Sequence, residues 1–94
     1  MTVRTVRRVV AITGAGGTLG AALSHRFAGE ADTDVVLSDV SESALLATVE
    51  GLPDQRGAIE TLTADVGDAA AVERVVGCAV ERFGRLDVLI SNAG

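Results

Sequence analysis

A chain of 94 residues, 48% hydrophobic and 22% charged, has room for one domain with a buried core and lacks the composition of a disordered segment. Its net charge of −5, with no basic stripe, argues against nucleic acid as a partner. No apolar run approaches the roughly 18 residues of a membrane span, and the first residues carry arginines but no apolar stretch with a cleavage site.

Residues 8 to 13, RVVAIT, form a short apolar run ending at a glycine-rich turn, which predicts a strand buried on both faces. Arg4, Arg7 and Arg8 cluster there and are expected to keep its edge soluble. A helical pattern covers 18 to 30, with Leu19, Ala22, Leu23 and Phe27 as its apolar stripe and the stem of Arg26 along it. DVVLSD at 34 to 39 is the second strand. Ser41 caps the next helix, Glu42 suits its first turn, and the helix runs to about Glu50. Gly51, Pro53 and Gly57 break that pattern, and AIETLTADV at 58 to 66 makes the third strand. Asp68 is placed to cap the last helix, where Val72, Val75, Val76, Ala79, Val80 and Phe83 recur at helical spacing. Gly84 suits a left-handed helix end, and LDVLIS at 86 to 91 is the fourth strand.

The order βαβαβαβ, with short loops and unbroken apolar strands, predicts an α/β fold with a parallel sheet and helices on both faces. Right-handed crossovers put the first two helices on one face. A third crossover returning past the first strand gives the order 3-2-1-4, the first half of a Rossmann-like doubly wound fold, as a single domain over 1–94.

TGAGGTLG at 13 to 20 joins the first strand to the first helix. A phosphate needs backbone N–H groups at close range and the positive end of a helix dipole, so such a turn wants glycine. Gly14, Gly16 and Gly17 leave the turn almost bare, and Gly20 lets the helix pack against the strand. A P-loop is excluded, since nothing matches GxxxxGK and all eight basic residues are arginine. The strict GxGxxG spacing also fails, because Leu19 stands at its third glycine. Glycines that only make a strand-to-helix turn are the alternative reading.

Asp39 ends the second strand, 19 residues after Gly20. A carboxylate there accepts hydrogen bonds from the adenosine ribose and repels an added 2′-phosphate. Two unit charges about 4 Å apart cost roughly 4 kcal/mol at an effective dielectric of 20. Residues 15 to 17 are Ala-Gly-Gly and residues 40 and 41 Val-Ser, so no cation offsets that repulsion. NAD is therefore expected over NADP. A strand-end acid merely facing water is the plainer alternative.

With TGAGGTLG after the first strand, Asp39 after the second, Asp65-Val66 after the third and GRLDVLISNAG at the end, the whole chain resembles the N-terminal half of the short-chain dehydrogenase/reductases. The resemblance implies that Asp65 contacts the adenine amino group and Val66 contributes its backbone. It implies that Asn92, Ala93 and Gly94 steady the central sheet and line the cofactor cleft. The cofactor set is then Thr13, Gly14, Gly16, Gly17, Thr18, Leu19, Gly20, Asp39, Asp65, Val66, Asn92, Ala93 and Gly94. The best-known branch carries TGxxxGxG, whereas Thr18 stands here at the middle glycine and the spacing is TGxxGxxG. Its hydroxyl is expected to cap the helix and reach the pyrophosphate. Ser91 stands where that branch usually shows Asn.

Family members move a hydride between nicotinamide and a carbonyl or alcohol carbon. A tyrosine shifts the proton, and a lysine four residues on lowers its pKa. Neither residue type occurs in these 94 residues, so no catalytic residue is assigned and the isolated chain is expected to be inactive. His25, the only imidazole, lies off the apolar stripe and reads as a solvated surface residue. Cys78, the only cysteine, falls beside an apolar stripe with no activating histidine nearby in sequence, and fits a reduced cytoplasmic setting. The fourth strand, with Val88, Leu89 and Ile90 on its two faces, is expected to be a bare edge that leaves the chain marginal or self-associating. A non-catalytic or redox-sensing dinucleotide module, or a domain for another adenosine ligand such as S-adenosylmethionine, are the other readings.

Overall fold

The computed structural model describes residues 7–54, 56–65, 67 and 69–92. Seven elements follow in order: β1 (Arg8–Thr13), α1 (Thr18–Ala28), β2 (Thr33–Asp39), α2 (Glu42–Glu50), β3 (Ile59–Thr63), α3 (Ala69–Phe83) and β4 (Val88–Ser91). The strands form one parallel sheet in the order β3-β2-β1-β4. This is the expected half of a doubly wound fold.

Alternation along the two central strands divides the core. Val10, Ile12, Val35 and Leu37 face α1 and α2, where Ala15, Ala28, Leu45 and Leu52 complete one cluster. Val9, Ala11 and Val36 face the other way and meet Val75 and Ala79 of α3. The β1 run is continuous because both of its faces are covered, as the sequence predicted.

The α1 stripe differs from expectation. Leu19 is 61% exposed and Ala22 is exposed as well, while the buried line is Gly20, Ser24 and Ala28, with Leu23 and Phe27 half-buried beside it. The cause is close approach. A Cβ on Gly20 would stand 1.9 Å from the Gly14 carbonyl oxygen, so the face nearest the sheet must carry the smallest side chains. Ser24 spends its hydroxyl on the Gly20 carbonyl at 2.7 Å. Arg26 is also exposed and lies near Glu30 at 3.8 Å instead of along a stripe.

A smaller rotation occurs in α3. Ala71, Val75 and Ala79 are buried, and Val80 is half exposed. Cys78 turns toward Leu62 and Glu60 of β3. Val76 and Val80 stand on the opposite side of the helix, away from that contact. Gly84 takes the expected left-handed conformation at φ 80°. Ser41 caps α2 by accepting the Ala44 N–H at 3.2 Å, as predicted. The proposed cap of α3, Asp68, lies outside the described residues. β3 and β4 are shorter than expected, since their outer residues lie past the last paired position.

Arg7 and Arg8 do more than keep an edge soluble. Arg7 chelates Asp34, with Nε 3.0 Å from Oδ2 and Nη2 2.8 Å from Oδ1. Arg8 pairs with Glu30 and lies over the Phe27 ring. Arg4 lies outside the described residues.

Candidate functional site

The carboxyl ends of β1, β2, β3 and β4 converge on the turn between β1 and α1. In parallel sheets this edge collects ligands, because the loops there lead into helix N-termini. Gly14 opens the turn at φ 66°, a conformation that suits glycine. Its carbonyl accepts the Gly17 N–H at 3.1 Å and the Asn92 side-chain amide at 3.3 Å. Ala15 is fixed on both sides. Its N–H donates to the Ser38 carbonyl at 2.9 Å, and its carbonyl accepts the Thr48 hydroxyl at 2.9 Å. Gly16 donates its N–H to Asp39 Oδ2 at 2.9 Å.

Gly17 is the N-cap of α1 and makes no side-chain cap, which corrects the expectation that the Thr18 hydroxyl serves there. Thr18 is instead the first helical residue, exposed at the positive end of the helix. The first intrahelical bond runs from the Ala21 N–H to the Gly17 carbonyl at 2.7 Å, so the N–H groups of Thr18, Leu19 and Gly20 precede it. No acidic residue sits in that first turn to compete for an anion. A groove of about 420 Å³ opens beside Gly16, Gly17 and Thr18, walled by Ala44, Ala47 and Thr48 of α2.

Asp39 stands next to this turn, half-buried at the end of β2. Oδ2 holds the Gly16 N–H, and Oδ1 accepts the Ser41 N–H at 2.9 Å. A carboxylate offers about four lone-pair sites, so each oxygen keeps one for a further donor. The Ala64 N–H donates to the Asp39 carbonyl at 3.0 Å, which brings Asp65 to the same end of the sheet. Asp65 is exposed and accepts the Gly67 N–H at 2.9 Å, the geometry of a turn residue. On the other flank the Asn92 N–H donates to Thr13 Oγ1 at 3.1 Å, tying the end of β4 to the end of β1. Val66, Ala93 and Gly94 lie outside the described residues.

Thus Thr13, Gly14, Gly16, Gly17, Thr18, Leu19, Gly20, Asp39 and Asn92 come together around one turn. Sequence reasoning missed one contributor. Thr48, buried in α2, holds the turn through Ala15, and nothing in its sequence position signals this. Val40, directly after Asp39, is 69% exposed.

The donor set fits a dinucleotide. Free N–H groups at a helix start suit a pyrophosphate. A Cβ at Gly16 would stand 2.5 Å from Ala44 Cβ, so that part of the turn has no room for a side chain. The spare lone pairs of Asp39 suit vicinal sugar hydroxyls. Among the described residues no three His, Cys, Asp or Glu side chains gather as a metal site, and no helix is long and apolar enough to cross a membrane. His25 is exposed. Burial, then Glu60 and Glu81, push the Cys78 thiol up, which leaves it a poor nucleophile.

The chain is 40% identical over 87 residues to meso-2,3-butanediol dehydrogenase of Serratia marcescens, covering 93% of this chain and 34% of that protein. It is 43% identical over 97 residues to levodione reductase of Leifsonia aquatica, covering 99% and 35%. A solved 3-ketoacyl-(acyl-carrier-protein) reductase of Brucella melitensis, complexed with NADH, superposes with a TM-score of 0.74 at 30% identity, covering 89% of this chain and 33% of that one. The chain therefore spans about a third of the length of the relatives it matches. The short chain dehydrogenase family profile matches residues 8–94, and on that match the chain belongs to the short-chain dehydrogenase/reductase family.

Proposed function

We propose that these residues form the NAD(H)-binding portion of an oxidoreductase that interconverts a carbonyl and an alcohol, with NAD(H) preferred over NADP(H). Thr18, Leu19 and Gly20 donate N–H groups to the pyrophosphate, Asp39 accepts from the adenosine ribose, Val40 lies against the adenine, and Asp65 with Val66 meets its polar edge. Asn92 holds the turn in place, and membership of the family supports a cleft-lining role for Ala93 and Gly94. When bound, the dinucleotide supplies the hydride chemistry, and this chain's groups bind and orient it. With no tyrosine and no lysine among the 94 residues, the reading assigns binding and not turnover to them. The reading also places the protein in the cytoplasm, where a lone thiol stays reduced.

The observation that carries the reading is the Asp39 carboxylate fixed 2.9 Å from Gly16. A 2′-phosphate would meet this charge at short range, and even a quarter of the roughly 4 kcal/mol bare repulsion shifts the preference about fivefold. Isothermal titration of the folded chain tests it. NADH binds, NADPH binds at least about fivefold more weakly, and S-adenosylmethionine does not bind. Equal affinity for the two dinucleotides overturns the preference. A folded chain that ignores NADH overturns the function, and ketone reduction by these 94 residues alone overturns the division between binding and turnover.

A further inference from the structure

We propose that Asp39 is also a positioning residue, the clamp that gives the glycine turn its shape before any ligand arrives. The inference deepens the NAD(H) reading and rests on it for its ligand. One carboxylate joins three segments: the turn after β1 through the Gly16 N–H, the end of β2 on which it sits, and the start of α2 through the Ser41 N–H. Ser41 in turn accepts the Ala44 N–H at 3.2 Å, and Ala44 Cβ is the atom a side chain at residue 16 would strike first. Asp39, Ser41, Ala44 and Gly16 thus close a ring. Inside it the Gly16 N–H is committed to the sugar side, and the N–H groups of Thr18, Leu19 and Gly20 are left for the phosphates.

This role separates two views of cofactor choice. If Asp39 acts by charge alone, Asp39→Asn relieves the repulsion and NADPH gains what NADH loses. If it also positions the turn, the substitution removes one of two acceptors and sets an amide donor against a backbone donor. The turn then loosens and both dinucleotides suffer. Asp39→Glu keeps the charge but moves it one methylene outward, so it loosens the turn without relieving the repulsion.

Hydrogen exchange of the Gly16 and Ser41 amides in the unliganded chain reads the clamp directly, with NADH and NADPH titrations beside it. Asp54→Asn, an exposed acid outside the site, is the control for lost charge, and circular dichroism checks that each variant folds. In Asp39→Asn and Asp39→Glu at least one of the two amides exchanges at least about tenfold faster than in the parent, the loss expected for a charge-assisted hydrogen bond. NADH affinity falls at least about tenfold in both, and NADPH does not gain in either. Unchanged exchange in the folded variants overturns the proposal, as does a net gain for NADPH in Asp39→Asn. A parent chain that exchanges as expected but binds neither dinucleotide sinks the NAD(H) reading and leaves the clamp standing.

Discussion

Arg7 and Asp34, 27 residues apart in the chain, are locked by two parallel hydrogen bonds at the amino-terminal end of the sheet, opposite the candidate site. The Asp34 side chain is 9% exposed and the Arg7 side chain 44%. Asp34 Oδ1 also accepts the Ala58 N–H at 2.8 Å, so one acid fastens the start of β3 to β2. The Arg7 guanidinium, followed by the Ala58 bond, holds the Asp34 carboxyl below the ordinary carboxylate range against the opposing effect of burial.

That shift has a sign. Below the ordinary carboxylate value, near pH 4, an unfolded Asp34 takes up its proton while the folded one resists. The stabilisation is complete above the unfolded value and is lost as pH falls through the lower folded value. Asp34→Asn is expected to cost about 1 to 2 kcal/mol at pH 7, the half-exposed Arg7 keeping the loss below that of a buried pair. The difference from the parent shrinks toward pH 3. Urea melts from pH 3 to pH 7 check this, and a pH-independent difference refutes it. Asp87 accepts the Val9 N–H and pairs with Arg85, which also holds its carboxyl low, so its contribution fades in the same direction.

Two glycines should respond oppositely to alanine. At Gly20 the new Cβ would lie 1.9 Å from the Gly14 carbonyl oxygen and 2.9 Å from the Ala15 Cα, and neither backbone can yield without moving the turn. Gly20→Ala is expected to cost about 1 to 3 kcal/mol and to weaken NADH binding. Gly77 lies on the exposed side of α3 with nothing within 4 Å of its would-be Cβ. Gly77→Ala should raise stability by about 0.5 to 1 kcal/mol through the restricted unfolded chain. Thermal melts of the two variants give the comparison.

Ser38 is fully buried, and its hydroxyl has no partner among the described residues. An unpaired buried hydroxyl costs about 1 to 3 kcal/mol, and alanine removes it while leaving only a small void. Ser38→Ala is therefore expected to hold or raise the melting temperature. A drop of several degrees would mean that the hydroxyl is satisfied by a tightly held water.

Leu89 is 40% exposed and Val88 36%, on a strand paired on one side only among the described residues. Purified as these 94 residues, the chain is expected to self-associate as its concentration rises. Leu89→Lys should shift it toward monomer in sedimentation experiments. A parent that stays monomeric at all concentrations contradicts the expectation.

The architecture was legible because each strand is apolar and each helix periodic, and the alternation leaves few topologies for a parallel sheet. Gly14, Gly16, Gly20 and Asp39 were legible for the same reason, since a bare turn and a strand-end acid are marked by residue type. The buried face of α1 was not, because Gly20 and Ser24 carry no hydropathy and the large Leu19 beside them does. Nor was the Arg7–Asp34 pair, whose members read singly as surface charges. Hydrogen bonds such as Thr48 to Ala15 and Asp39 to Gly16 depend on how helices seat against the turn, which residue spacing does not encode.

Asn92 grips the Gly14 carbonyl and Thr13 Oγ1 from 78 and 79 positions further along the chain, so the glycine turn takes part of its fastening from the last strand. The turn between β1 and α1 is already tied to β2 and α2 through Asp39 and Thr48, and the Asn92 bonds are added when the final strand docks, the kind of distant closure that slows assembly. During refolding, backbone protection in β1 and β2 should precede the gain of NADH fluorescence. Dinucleotide affinity is then expected to report the completion of the sheet.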